Sequence, residues 1–189
     1  MKTLSINRED LPQHIKENYS LIDPIKNIAE IGSFEGTYAL SILSSFPNAK
    51  ISLIDMWETS GNDFYYSIRP GTVESAYQVA LKRFESFDNV KLLKGSSLEI
   101  SKSFEDSSLD FIYIDADHSY EGCLQDLQLW YPKVRTGGII SGHDWDCNPS
   151  MQEYSKFGVE KAVREFFDQR LDEITLTSEQ YHKSWMLVS

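Results

Sequence analysis

Two apolar runs in this chain end in acids and imidazoles. Leu109-Asp110-Phe111-Ile112-Tyr113-Ile114 leads into Asp115-Ala116-Asp117-His118, and Gly137-Gly138-Ile139-Ile140-Ser141-Gly142 leads into His143-Asp144. As neighbouring parallel strands, the two runs bring Asp115, Asp117, His118, His143 and Asp144 near one point. Such a cluster can do two kinds of chemistry. Carboxylates hold a hard divalent cation such as Mg²⁺ together with waters and substrate oxygens, and an imidazole among them suits a softer ion. A histidine near its unperturbed pKa of ~6.5 can instead take the proton of a hydroxyl as that oxygen attacks. His118 is the first candidate base and His143 its rival, and each also has the plain reading of a capping or hydrogen-bonding residue. His14 and His182 lie outside these runs and read as structural or surface residues.

A second group of residues describes a ligand site. Ile28-Ala29-Glu30-Ile31-Gly32-Ser33-Phe34-Glu35-Gly36 is an apolar run, an acid, and two glycines four apart, followed by a helix-like stretch. A strand that turns tightly into a helix is where doubly wound folds bind nucleotide-like cofactors, because glycine lets backbone approach the ligand. About nineteen residues on, Ile51-Ser52-Leu53-Ile54 ends in Asp55. A carboxylate there can accept both hydroxyl hydrogens of a ribose. The dinucleotide fingerprint needs a glycine where this chain has Phe34, so a pyrophosphate is disfavoured. The plain alternative is a strand-turn-helix whose glycines serve packing alone.

These residues need elements to hold them. Leu11 to Asn18 reads as a short helix, Ile28 to Ile31 as a strand, Gly36 to Phe46 as a helix and Ile51 to Ile54 as a strand. Thr72 to Phe87 has apolar residues at helical spacing. Val90 to Leu93 is a third strand and Phe111 to Ile114 a fourth, buried on both faces. Tyr120 to Tyr131 is a helix stopped by Pro132, Gly137 opens a fifth strand, and Val159 to Phe167 is a helix. Glu173 to Thr177 and His182 to Val188 make a terminal hairpin. The alternation predicts an α/β doubly wound fold with helices on both faces of a mostly parallel sheet. Two aromatic-rich segments fall outside it. Trp57 to Gly71 holds Trp57, Phe64, Tyr65 and Tyr66, and Trp145 to Phe157 holds Trp145 and Tyr154. Each is either packing beneath a loop or a lid over cofactor and substrate.

Composition narrows the function. The 189 residues are 41 % apolar and 25 % charged, which suits one sizeable core and a single domain over 1–189. The net charge of -11 disfavours a nucleic-acid partner, which needs Lys and Arg against phosphates. No apolar stretch is long enough to span a membrane, and the start of the chain is not a secretory signal. Only Cys123 and Cys147 are present, without a Cys-x-x-Cys pair, so a cytoplasmic setting is expected and neither a disulfide framework nor a zinc site. Oligomeric state stays open.

The pattern Glu30-x-Gly32-x-x-x-Gly36, with Asp55 in register, resembles the first motif of the class I S-adenosylmethionine-dependent methyltransferases. The segments Ile114-Asp115-Ala116-Asp117-His118-Ser119-Tyr120 and Gly137-Gly138-x-x-x-x-His143-Asp144 further resemble the bacterial small-molecule O-methyltransferase group, including macrocin-type enzymes. The resemblance covers about residues 27 to 145. It implies a Rossmann-like seven-stranded sheet in the order 3-2-1-4-5-7-6 with the last strand antiparallel. It implies S-adenosylmethionine as cofactor, with Glu30 at its ammonium group, Gly32, Ser33 and Gly36 forming the loop, Asp55 on the ribose, and Trp57 and Asp115 beside it. Ser96 and Ser97, after the glycine that ends the third strand, would meet the adenine; alternatively Ser97 only caps a helix. Asp115 and Asp144 match the acids that hold Mg²⁺ or another divalent metal in related enzymes, while His143 stands where a carboxylate is common. The expected reaction is methyl transfer to a hydroxyl of a small acceptor, with proton removal assisted by histidine, metal assistance being the other answer the cluster offers. The rivals are a nicotinamide-dependent oxidoreductase on a similar sheet and a non-catalytic nucleoside-binding domain.

Overall fold

The computed structural model describes residues 1–19, 24–58, 72–152 and 157–189. Its strands are β1 (Lys2–Thr3), β2 (Asn27–Ile31), β3 (Lys50–Asp55), β4 (Val90–Lys94), β5 (Leu109–Ile114), β6 (Val134–Gly142), β7 (Thr175–Leu176) and β8 (Trp185–Val188). They form one sheet in the order β1-β7-β8-β6-β5-β2-β3-β4. Only β8 runs antiparallel to its neighbours, β6 and β7. Without β1, this is the expected order with its antiparallel last strand. The count differs: among the described residues the sheet has eight strands, because Lys2 and Thr3 pair in parallel with Thr175 and Leu176 at the edge. Two residues carry too little pattern to be recognised as a strand.

The helices are α1 (Leu11–Tyr19), α2 (Thr37–Ser45), α3 (Thr72–Phe84), α4 (Ser97–Ser101), α5 (Tyr120–Trp130), α6 (Pro149–Gln152) and α7 (Val159–Phe166). Alternation along the strands sorts the core onto two faces. Ile28, Phe111 and Tyr113 point to the α1 and α2 side, where Leu11, Ile15, Tyr38 and Ile42 cover them. Ala29, Ile31, Ile112 and Ile114 point to the other side, against Leu127, Trp130, Ala162 and Val163. Both faces of β5 are therefore covered, and all six of its residues are buried. Removing a side chain such as Ile112 from this centre would cost about 2–5 kcal/mol.

Two connections set the site. β8 returns antiparallel beside β6, pairing Trp185 with Gly142, so the loop before β8 lies at the carboxyl edge of the sheet. β1 runs parallel to β7, so its end leads to the same edge, where Arg8–Asp10 forms a short 3-10 turn. At the amino edge, the Asp110 carboxylate accepts the N–H groups of Lys26 and Asn27 at 2.8 and 2.7 Å and pairs with Arg135 at 2.6 Å. Phe64, Tyr65, Tyr66 and Tyr154 of the two aromatic segments lie outside the described residues.

Candidate active site

The first loop is built by close approach of backbone. Gly32 has φ +86°, and a Cβ there would stand 2.1 Å from the Asp115 carbonyl oxygen. Gly36 has φ +73°, and a Cβ there would stand 2.4 Å from the Phe84 ring. Both glycines are thus required by the fold itself, whatever the loop binds. The Asp55 carboxylate fastens the turn, accepting the Phe34 and Trp57 N–H groups at 2.8 Å each. Trp57, read as a contact or a lid, is a buried peg. Its ring packs on Tyr77 with centroids 4.8 Å apart, and its indole N–H donates to the Phe34 carbonyl at 2.7 Å.

Glu30 is 1 % exposed, and its Oε2 has no hydrogen-bond partner among the described residues. Burial pushes its carboxyl up to about 8, against the opposing effects of the Ser33 hydroxyl and the Arg8 charge. A buried, uncommitted carboxyl is costly unless something pairs with it. The Ser33 hydroxyl lies beside it, 3.3 Å from the Glu30 carbonyl to which it donates.

Ser96 and Ser97 divide differently from expectation. Ser96, not Ser97, caps α4, accepting the Glu99 N–H at 3.2 Å. The Ser97 hydroxyl donates to the buried Asp126 and accepts the Trp130 indole N–H at 2.7 Å. An adenine contact from Ser97 would therefore come from its backbone.

The strand-end cluster forms as the two parallel strands require. Asp115 follows β5, its N–H donating to the Ile31 carbonyl at 2.7 Å, and His143 follows β6, its N–H donating to the Ile114 carbonyl at 3.0 Å. His118 Nε2 lies 3.2 Å from Asp115 Oδ1 and 3.0 Å from Asp144 Oδ2. His143 Nδ1 lies 3.6 Å from Asp115 Oδ1 and 3.3 Å from Asp144 Oδ2. The His118 ring stacks on Phe157 at 5.2 Å, and its carbonyl accepts the Gly158 N–H at 2.8 Å, so the segment after the second aromatic loop positions it. Asp117 does not join: its carboxylate accepts the Ser119 N–H at 2.8 Å and packs over Gly122.

Two residues join that the sequence did not mark. His182 Nδ1 lies 2.5 Å from Asp144 Oδ1, which corrects its reading as structural or surface. The antiparallel return of β8 brings it there; the expected hairpin held that signal in its direction. Arg8, from the N-terminal turn, pairs with Asp115 Oδ2 at 2.5 Å. Nothing in the local sequence announces it. His14 stays on α1 beside Asn18.

The charges reinforce one another. Burial would raise the Asp115 carboxyl, but hydrogen bonds from His118 and His143 and the Arg8 charge outweigh it and hold the group far below the usual range. Asp144 is lowered likewise, burial being outweighed chiefly by His143. Burial would lower His143, yet its bonds to Asp115 and Asp144 carry it up to about 9. His118 is also raised, burial being outweighed by Asp115 and Asp144. One ligand atom each from Asp115, His118 and Asp144 lies within 4.8 Å of the others, a spacing suited to a shared cation. The arrangement can hold a cation, or a proton on an imidazole, beside the glycine loop.

Known proteins share this fold. No curated protein matches the sequence significantly. Among solved structures, the chain is similar to the O-methyltransferase from Bacillus cereus in complex with SAH, at 16 % identity and TM-score 0.64 over 96 % of this chain and 80 % of that one. It is similar to the SAH-bound Podospora anserina methyltransferase PaMTH1, at 18 % identity and TM-score 0.64 over 95 % and 76 %. It is also similar to the O-methyltransferase TomG from Streptomyces achromogenes in complex with SAM, at 15 % identity and TM-score 0.64 over 96 % and 79 %. At such identities the likeness is one of fold. Residues 29–145, which span both glycines, Asp55 and the strand-end groups from Asp115 to Asp144, match the family described as a methyltransferase domain, more than half of the chain, and the chain belongs to that family.

Proposed function

We propose that residues 1–189 form one S-adenosylmethionine-dependent O-methyltransferase domain acting on a small hydroxylated molecule. The observation that carries the reading is Glu30: a buried carboxyl with an uncommitted oxygen, beside a glycine loop, fits the ammonium group of this cofactor. Asp55 would take the ribose and Ser96 the adenine edge. When bound, the cofactor supplies an electrophilic sulfonium methyl, so the protein's task is alignment and proton removal; alignment can be worth about 7–11 kcal/mol at best. A net charge of -11 supports a small molecule over a polyanion as acceptor. No helix among the described residues is long and apolar enough to cross a membrane.

For proton removal we favour His118, which faces Asp115 and Asp144 and would lose its proton to act. The spacing of Asp115, His118 and Asp144 supports a second reading, in which the three hold a divalent cation that lowers the pKa of the acceptor hydroxyl. With an imidazole among its donors, the set suits Mn²⁺ or a softer ion better than Mg²⁺. In that case His118 is a ligand and His143 the remaining candidate base.

Calorimetry with S-adenosylmethionine and with NAD tests the cofactor. Binding of the first alone is expected; binding of NAD alone would move the chain to the oxidoreductases. Release of S-adenosylhomocysteine on incubation with a panel of hydroxylated metabolites then tests turnover. Loss of turnover in chelator, restored by Mn²⁺ or Mg²⁺, supports the cation, whereas full turnover at negligible metal content rejects it.

A further inference from the structure

Four of the five buried side-chain polar atoms without a hydrogen-bond partner among the described residues lie on the N-terminal turn and its neighbours: Arg8 Nε, Glu30 Oε2, Tyr38 Oη and Glu179 Oε2, the fifth being Trp185 Nε1 on β8. An ion pair that only held the fold would leave no reason for Arg8 Nε to be desolvated and unmatched, since such a group costs about 1–3 kcal/mol. Arg8 is nevertheless held firmly. Its N–H donates to the Glu179 carboxylate, its guanidinium pairs with Asp115 at 2.5 Å, and its guanidinium carbon stands 4.7 Å from the Tyr38 ring centre and 5.4 Å from that of Tyr113. Tyr38 lies in the first turn of α2, whose cap residue Gly36 offers no side-chain acceptor to that helix end.

The neighbouring charges say what belongs there. Glu30, Asp55 and Asp115 are all acids, which welcome an ammonium and repel a carboxylate. The methionine end of the proposed cofactor carries both. A positive fork is required for the carboxylate, and the N-terminal turn delivers one. We propose that Arg8 binds the carboxylate of the methyl donor, with the Tyr38 hydroxyl as a second donor and Glu30 taking the ammonium. The N-terminal turn is thereby a working part of the donor site, and Glu179, in the loop before β8, anchors it. A guanidinium matches a carboxylate with paired N–H groups in one plane, which an ammonium cannot do.

The inference rests on the S-adenosylmethionine reading, and two ligands separate them. S-adenosylmethionine and its decarboxylated analogue share adenosine, sulfonium and ammonium and differ in the carboxylate. Each is titrated calorimetrically into wild type, Arg8→Gln and Arg8→Lys. Wild type is expected to prefer the carboxylate-bearing ligand by ~10- to 100-fold, Arg8→Gln to lose most of that preference while still binding the analogue, and Arg8→Lys to fall between. Wild type binding neither ligand would end the cofactor reading and the inference with it. Wild-type binding with the preference unchanged in Arg8→Gln would end the inference alone. Equal loss of both ligands in Arg8→Gln and in Arg8→Lys would make Arg8 a support of the fold and likewise overturn it.

Discussion

Glu30 offers the sharpest test of the donor site, because its charge state must change. With its carboxyl raised to about 8, roughly ten in eleven molecules carry the proton at pH 7 before ligand arrives. Pairing with an ammonium favours the ionised form, so binding should expel close to ~0.9 protons at that pH. Only the ionised fraction is ready to pair, so affinity for S-adenosylhomocysteine should rise about tenfold from pH 6 to pH 7 and level off above about 8. Calorimetry in two buffers of different ionisation enthalpy counts the protons directly. Glu30→Gln is the control: it should bind more weakly at pH 8, with the Glu30 share of both the proton release and the pH slope removed. Stability runs the opposite way with pH. A carboxyl raised above its unfolded value favours the folded state while protonated and loses that contribution as pH climbs from about 4.5 to about 8. Ligand-free Glu30→Gln should therefore melt above wild type at pH 8, by a margin that vanishes near pH 4.5. Proton release that is the same in wild type and Glu30→Gln would refute the assignment.

Three further outcomes follow from the geometry. Gly32→Ala sets a Cβ 2.1 Å from the Asp115 carbonyl in a left-handed conformation, so it should destabilise by more than the ~1–3 kcal/mol of backbone strain alone and abolish donor binding, as read by urea unfolding and calorimetry. Asp55→Ala removes the acceptor of two backbone N–H groups as well as the proposed ribose contact; it should weaken donor binding by about 1–3 kcal/mol and also lower the melting temperature, and unchanged affinity would sink the ribose role. His118→Ala or His143→Ala, whichever is the base, should lose ~10²–10⁴ in turnover with donor affinity nearly kept. Because both imidazoles are raised and a base must be neutral, the rising limb of the pH–rate profile should lie above the ~6.5 of free histidine, reaching about 9 if His143 acts. A limb at or below the free value would mean that a bound cation, or another group, sets the chemistry.

Much of the site was legible because it is local. Strand ends in parallel sheets share an edge, so Asp115, His118, His143 and Asp144 could be placed together from two apolar runs. A period of two along Phe111 to Ile114 sets which side chains face which helices. The order of the central strands came with the resemblance carried by residues 27 to 145, and it holds for seven strands. The eighth strand was not legible, since Lys2 and Thr3 have strand form only through their partner β7.

What tertiary structure decided concerns partners far apart in the chain. The sequence by itself determined that Gly32 and Gly36 shape a turn, but packing against Asp115 and Phe84 decided that they must be glycine. It left Ser96 and Ser97 between an adenine contact and a Ser97 helix cap; the fold made Ser96 the cap, while Asp126 and Trp130 on α5 hold the Ser97 hydroxyl. It presented Trp57 as a loop aromatic; the contacts with Phe34 and Tyr77 made it core. His182 and Arg8 reach Asp144 and Asp115 from opposite ends of the chain. No spacing rule links those positions, because their meeting depends on where β8 and β1 dock on the sheet. Local pattern sets which groups sit at a strand's end, and only the pairing of distant strands sets which other charges they meet there.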